Sequence, residues 1–162
     1  MTYLSVFVPG KPAPQGSKRY LGVKGGKGIT VESSKAVAPW RADIRDSVKD
    51  HVAGRAQPGD AVSVALTFVM PRPASAPKRS TPPAVKRPDV DKLARAVLDA
   101  LSSAGVWEDD SQVTRLVASK RIAQIGERSG CYITVEDAAD QRDAWDSVKV
   151  ERTADAASGG DQ

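Results

Sequence analysis

Cysteine and histidine are almost missing: Cys131 and His51 are the only ones in 162 residues. A single cysteine excludes an internal disulfide and fits a reducing cytoplasm. One residue of each kind is also too few for a zinc site built on His and Cys ligands. No apolar run approaches the 18 residues expected of a membrane-spanning helix. The opening "MTYLSVFVPG" has neither a basic n-region nor a long apolar h-region, so no secretory signal is read there. Acids are missing from one long stretch: residues 71–88 hold six prolines, five Lys or Arg residues and no Asp or Glu. What remains is a chain of one-domain size, 40% apolar, able to bury a real core.

Charge is spread unevenly. Residues 137–162 hold seven acidic and three basic residues, whereas residues 1–136 hold 21 basic and 13 acidic ones. A basic body with a short acidic tail fits a polyanionic partner, nucleic acid being the commonest, although a solubilising surplus reads the same way.

Periodicity supplies the elements. "YLSVFV" alternates Leu4, Val6 and Val8 against Tyr3, Ser5 and Phe7, the period of a strand. "PGKPAPQGSKRY" then breaks regular structure, and "LGVKGGKGITV" reads as a hairpin about Gly25-Gly26. Pro39 suits the first turn of a helix that presents Trp40, Ile44, Val48 and Val52 at four-residue steps and stops near Gly54. His51, towards its end, reads as solvated or capping. Residues 61–70 form a half-buried strand, and the proline-rich stretch 71–88 reads as a loop that a partner would order. Val90, Leu93, Ala94, Val97, Leu98 and Leu101 then make an unbroken helical stripe between Pro88 and Gly105. Two further strands follow over 113–120 and 130–136, with Cys131 a small core residue. Residues 1–136 thus read as a single α+β domain, a small mixed β-sheet with packed helices, and 137–162 as a flexible, polar, acidic tail.

The helix between Pro88 and Gly105 has acids at both ends: Asp89 and Asp91 at its start, Asp109 and Asp110 just past its other end. Each pair has a plain reading. Asp89 is a good N-cap, Asp91 favours the positive end of the helix dipole, and Asp109-Asp110-Ser111 makes a polar turn. The strand after Asp110 can run back along the helix, however, and if that return brought the pairs together their repulsion would favour a bound cation. Carboxylate oxygens are hard ligands, so the ion would be Mg²⁺ or Mn²⁺. Beside basic loops the matching chemistry is phosphodiester hydrolysis.

The stretch "KRPDVDKLARAVLDALSSAGVWEDDSQV" resembles the signature of the RusA family of Holliday junction resolvases, common in phages and prophages. The likeness includes the "GKPAPQGSKR" loop and covers roughly residues 3–136. It implies a Mg²⁺-dependent endodeoxyribonuclease, with Mn²⁺ an alternative, that resolves four-way junctions as a homodimer in recombination and repair. If the chain is phage-encoded, it would work in the host cytoplasm. By the same resemblance, metal ligation falls on Asp89, Asp91 and Asp110, with Asp109 as the neighbouring acid. The family's essential lysine falls on Arg95, a departure that keeps charge but not proton donation. Lys92 stands where the family has asparagine. Lys18, Arg19, Lys78, Arg79, Lys86 and Arg87 are the candidate DNA contacts. Two other classes remain: a protein that binds branched DNA without cutting it, and an enzyme for a small phosphorylated substrate, which would not need so much basic loop.

Overall fold

The computed structural model describes residues 1–16, 18–32 and 35–138, with the side chains of 18–21 and 29–32 outside that description. Strand β1 (Thr2–Pro9) leads into a hairpin, β2 (Lys18–Lys24) and β3 (Lys27–Glu32), and then helix α1 (Val37–Lys49). β4 (Val62–Met70), α2 (Val90–Ser103) and a short 3₁₀ turn (Asp110–Gln112) follow, before β5 (Val113–Ile122) and β6 (Gly130–Asp137). Of the tail expected over 137–162, Asp137 instead ends β6 and the Ala138 amide donates to the Ala61 carbonyl at 2.9 Å, while residues 139–162 lie outside the described residues.

Four strands make one mixed sheet in the order β1-β6-β4-β5, and β2 and β3 stand apart as a two-stranded ribbon. β4 and β5 are parallel, because α2 carries the chain from one to the other, while β6 is antiparallel to both β1 and β4. One sheet face supplies Val64, Leu66, Phe68, Ile133 and Val135 to the core. The helices close that core with Trp40, Ile44 and Val48 from α1 and Leu93, Ala94, Val97 and Leu101 from α2. Cys131 is buried among them, and burial pushes its thiol up to about 12, so it acts as a small apolar side chain.

The hairpin turns on Gly25 and Gly26, with φ of +63° and +77°. Two successive positive φ values match the twist of the flanking strands, which is why glycine stands at both positions. Helix α1 departs from expectation. It starts two residues before Pro39 and ends at Lys49. Val52 is instead drawn into an isolated bridge with Leu4, and the Ala53 amide donates to the Tyr3 carbonyl. That segment covers the outer edge of β1. His51 is exposed, its Nδ1 2.7 Å from the Ser47 carbonyl at the helix end.

The other sheet edge is open. β5 is ten residues long with no neighbouring strand on one side among the described residues, and Leu116 and Val117 in its middle are 44% and 48% exposed. A long apolar edge strand is a template for pairing with another chain. Among the described residues no helix is long and apolar enough to cross a membrane.

The loop after β4 is not the unanchored segment its composition implies. Arg72 gathers it: Nη1 donates to Thr81 Oγ1 at 2.9 Å and to the Ala123 carbonyl at 3.3 Å. Nη2 donates to the carbonyls of Pro77 and Ser80. Thr81 Oγ1 in turn donates to Gln124 Oε1 at 2.7 Å. One guanidinium replaces the hydrogen bonds that a run of prolines cannot supply.

Candidate active site

Asp89 occupies the N-cap position of α2 in extended conformation, but its carboxylate makes no capping hydrogen bond. It faces Lys92 Nζ at 3.6 Å, an exposed i,i+3 pair worth little. Asp91, in the first turn, and Arg95, one turn on, are both exposed and make no hydrogen bond or ion pair with the described residues. Their i,i+4 spacing would allow an ion pair, but none is made, and both groups face solvent from the same side of the helix. Further along, Asp99 does bind: its Oδ2 takes Arg41 Nη2 at 2.6 Å, tying α2 to α1. Arg41 also holds Gln15 Oε1, and the Gln15 amide donates to the Lys92 carbonyl at 2.9 Å. The loop of Lys11–Pro14 is thereby docked beside the start of α2.

The C-terminal end of α2 closes by the glycine mechanism expected of Gly105 (φ +75°). The Gly105 amide reaches the Ser102 carbonyl at 2.9 Å and the Val106 amide reaches the Leu101 carbonyl at 3.2 Å. The reversal buries Trp107 completely and returns the chain to the helix end. There the Trp107 indole donates Nε1–H to Asp110 Oδ1 at 3.0 Å and to Ser102 Oγ at 2.6 Å. The Ser102 hydroxyl donates to the same Asp110 oxygen. Asp110 is thus oriented by two donors while its residue stays exposed.

Asp109 has a different task. Its Oδ1 accepts the Ser111 amide at 2.8 Å, and Gln112 Oε1 accepts the Asp109 amide at 3.3 Å, a capping box on the 3₁₀ turn. Hydrogen bonds from the Ser111 side chain and backbone hold the Asp109 carboxyl below its usual range. Gln112 Nε2 pegs the turn to the Gln57 carbonyl at 2.7 Å. This acid is used by the turn, as the plain reading of its sequence expects.

The convergence of Asp110 with Asp89 and Asp91 does not occur within one chain. Asp110 is bonded to Ser102, eleven residues along α2 from Asp91. At 1.5 Å per residue that is about 16 Å of helix, whereas carboxylates sharing one divalent cation lie within about 5 Å of each other. No group of three or more His, Cys, Asp or Glu side chains able to hold a metal ion is formed among the described residues. β5 does return along α2 as expected, but it carries Lys120, not an acid, to the Asp89 end. Lys120 Nζ donates to the carbonyls of Pro88 at 2.7 Å and Lys86 at 2.8 Å. One protomer therefore keeps the candidate acids apart: Asp89 and Asp91 at the start of α2, Asp110 beside its other end.

Lys78, Arg79, Lys86 and Arg87 are all exposed on the loop that Arg72 organises. Lys18 and Arg19 open β2, and their side chains lie outside the described part. Sequence reasoning missed Trp107, Ser102, Arg72 and Lys120. The first carried a signal, since a tryptophan three residues before an aspartate can reach it across a tight turn. Trp107→Phe keeps an aromatic core residue but deletes the Nε1 donor. If Asp110 serves a catalytic site, we expect the change to slow turnover by about tenfold or more, with a stability loss of about 1–3 kcal/mol. Unchanged turnover in a folded variant would show that Asp110 needs no orienting.

The family model described as endodeoxyribonuclease RusA matches residues 9–136, a span holding Asp89, Asp91, Asp109 and Asp110. No curated protein matches the chain.

Proposed function

Because the chain belongs to the RusA family of endodeoxyribonucleases, whose members resolve Holliday junctions and are generally divalent-metal dependent, we propose that it is a Mg²⁺-dependent resolvase of four-way DNA junctions, acting as a homodimer in recombination and repair. The observation that supports this most is the unspent state of the acids. Asp89 declines a cap it is placed to make, Asp91 makes no described contact, and Asp110 is oriented by Trp107 with its outer face free. Acids kept for structure would be consumed by it, as Asp109 is.

In this reading the two groups of acids are half-sites, which become one set of ligands across two chains. β5 begins beside Asp110 and ends beside Pro88. If two copies pair their open β5 edges antiparallel about a two-fold axis, the start of each strand meets the end of the other. Asp110 of one protomer then lies at the end of the dimer where its partner carries Asp89 and Asp91. Four carboxylate-rich ends make two equivalent sites, one for each of two symmetric strands of a junction. A divalent cation bound there would stabilise charge on the scissile phosphate and its leaving oxygen. Arg95, free and one turn beyond Asp91, neutralises a phosphate oxygen and cannot donate a proton near neutral pH. The exposed cations of the loop hold the flanking backbone.

The test is a synthetic four-way junction incubated with the protein, with and without Mg²⁺. Paired, symmetric cuts that vanish with chelator support the proposal, and binding without cuts at any cation concentration defeats it. One contact favours a second reading, a protein that binds branched DNA without cutting. Lys92, where the family has asparagine, lies against Asp89 and competes with a metal. Under that reading the wild type is inert and Lys92→Asn gains cleavage. Lysine replacement of Leu116 should dissociate the dimer, seen by sedimentation, and abolish cutting with the fold retained. Replacing Lys78, Arg79, Lys86 and Arg87 with Ala should weaken junction binding and flatten the slope of log K against log salt by up to about 0.9 per lost phosphate contact. An unchanged slope would remove this loop from the DNA.

A further inference from the structure

Between the proline-rich loop and the end of the sheet lies a cavity of about 650 Å³. Its walls are apolar: Pro73, Pro77, Pro82 and Pro83 from the loop, against Met70 and Ile122 from β4 and β5. Lys11, Lys86 and Arg87 also line it, and no acidic residue does. The volume falls in the range of small-molecule sites, roughly 300–1,000 Å³. We infer that this cavity receives a nucleobase unstacked from the DNA beside the scissile phosphate.

The inference rests on the nuclease reading above and goes beyond it. Apolar walls with cations alongside match a nucleotide, whose flat ring prefers a dry pocket and whose phosphates prefer basic side chains. A peptide partner would need backbone hydrogen bonding that proline walls supply poorly, because their nitrogens have no N–H. Position points the same way. Arg87 and Pro88 line the cavity, and Asp89 is the next residue, so the pocket adjoins the half-site that would grip the scissile phosphate. The pocket is also pre-formed. Arg72 fixes the loop from inside, and Lys120 clamps the carbonyls of Lys86 and Pro88 at its lower end. A rigid cavity takes a base without the ordering cost of a loose loop. Bases at a branch point are already poorly stacked, which lowers the cost of extruding one.

The test places 2-aminopurine, which brightens on unstacking, at each position around the crossover in turn. Binding is measured without divalent cation, so no cutting occurs. The wild type should raise fluorescence at one position next to the cleaved bond, by about fivefold or more. Ala84→Trp and Ala76→Trp, which each add bulk at a different lining position of the loop, should lose that rise while still binding the junction. If the wild type binds but no position brightens, the inference falls and the nuclease reading stands. If both folded, filled variants keep the rise, the base goes elsewhere and the inference also falls. If filling changes only the sedimentation of the protein, the cavity seats a protein segment and not a base, which equally overturns it. Failure to bind four-way DNA at all would remove the nuclease reading and this inference with it.

Discussion

Asp110→Asn abolishes cleavage and leaves junction binding intact or tighter: that is the expected result, since it removes an anionic ligand and also some repulsion of DNA phosphate. Asp91→Asn should behave alike. Their mixture is the decisive measurement. If each catalytic set takes Asp89 and Asp91 from one chain and Asp110 from the other, a mixed dimer has one site doubly defective and one fully wild type. Random exchange makes half the dimers mixed, so equal amounts of two inactive proteins should recover roughly a quarter of wild-type nicking. The recovered activity should cut one strand per encounter instead of two. Were all ligands contributed by one chain, every site in the mixture would carry a defect and nothing would return. Zero activity in a mixture shown to exchange subunits would therefore sink the two-chain site. It would leave the about 16 Å between Asp91 and Ser102 unexplained.

Arg95→Ala carries the second large effect. The side chain is exposed, has no described partner and projects from the helix side that carries Asp91. A guanidinium used for folding would be paired, as Arg41 is with Asp99 and Arg121 is with Glu127. Loss of a preorganised charged donor commonly costs on the order of 100-fold in rate, which is the expected drop here. Arg95→Lys keeps the charge and should stay within about tenfold, roughly 1.4 kcal/mol in barrier. Single-turnover rates at saturating protein and Mg²⁺ distinguish these from mere weakening of binding. If the Ala variant matches wild type, Arg95 is a solvated surface residue. If Lys is as poor as Ala, the bidentate geometry matters more than the charge.

Local signals in the sequence carried most of the fold. The stripe from Val90 to Leu101 marked α2, Gly105 marked its stop, and Gly25-Gly26 marked the hairpin, because each depends on neighbours only a few residues away. The α+β class followed from their order. What was not legible depends on distant partners. Composition marked 71–88 as loose, yet Arg72 is bonded to the carbonyl of Ala123, 51 residues on. Val52 was read as helical, but a bridge to Leu4 outweighs one more turn of a helix. The site shows the same division. Asp89, Asp91 and Asp110 became candidates through the family resemblance, since their pattern alone also fits caps and a polar turn. Their separation was not legible, since Trp107 and Ser102 fix Asp110 at the helix end through side-chain geometry that no periodicity encodes.

If each cutting centre is shared between two chains as proposed, the rigid spacing that α2 imposes would also make the protein its own dose meter. With half of the proposed centre at each end of an unbroken fourteen-residue helix, no flexing of a lone copy could assemble a whole one. A solitary molecule meeting branched or unbranched DNA would be harmless. Below the dimer dissociation constant the active fraction itself rises with total protein, so activity climbs with the square of concentration. A cell making a few copies would keep an inert reserve, and a modest burst of synthesis would convert it abruptly into a working nuclease.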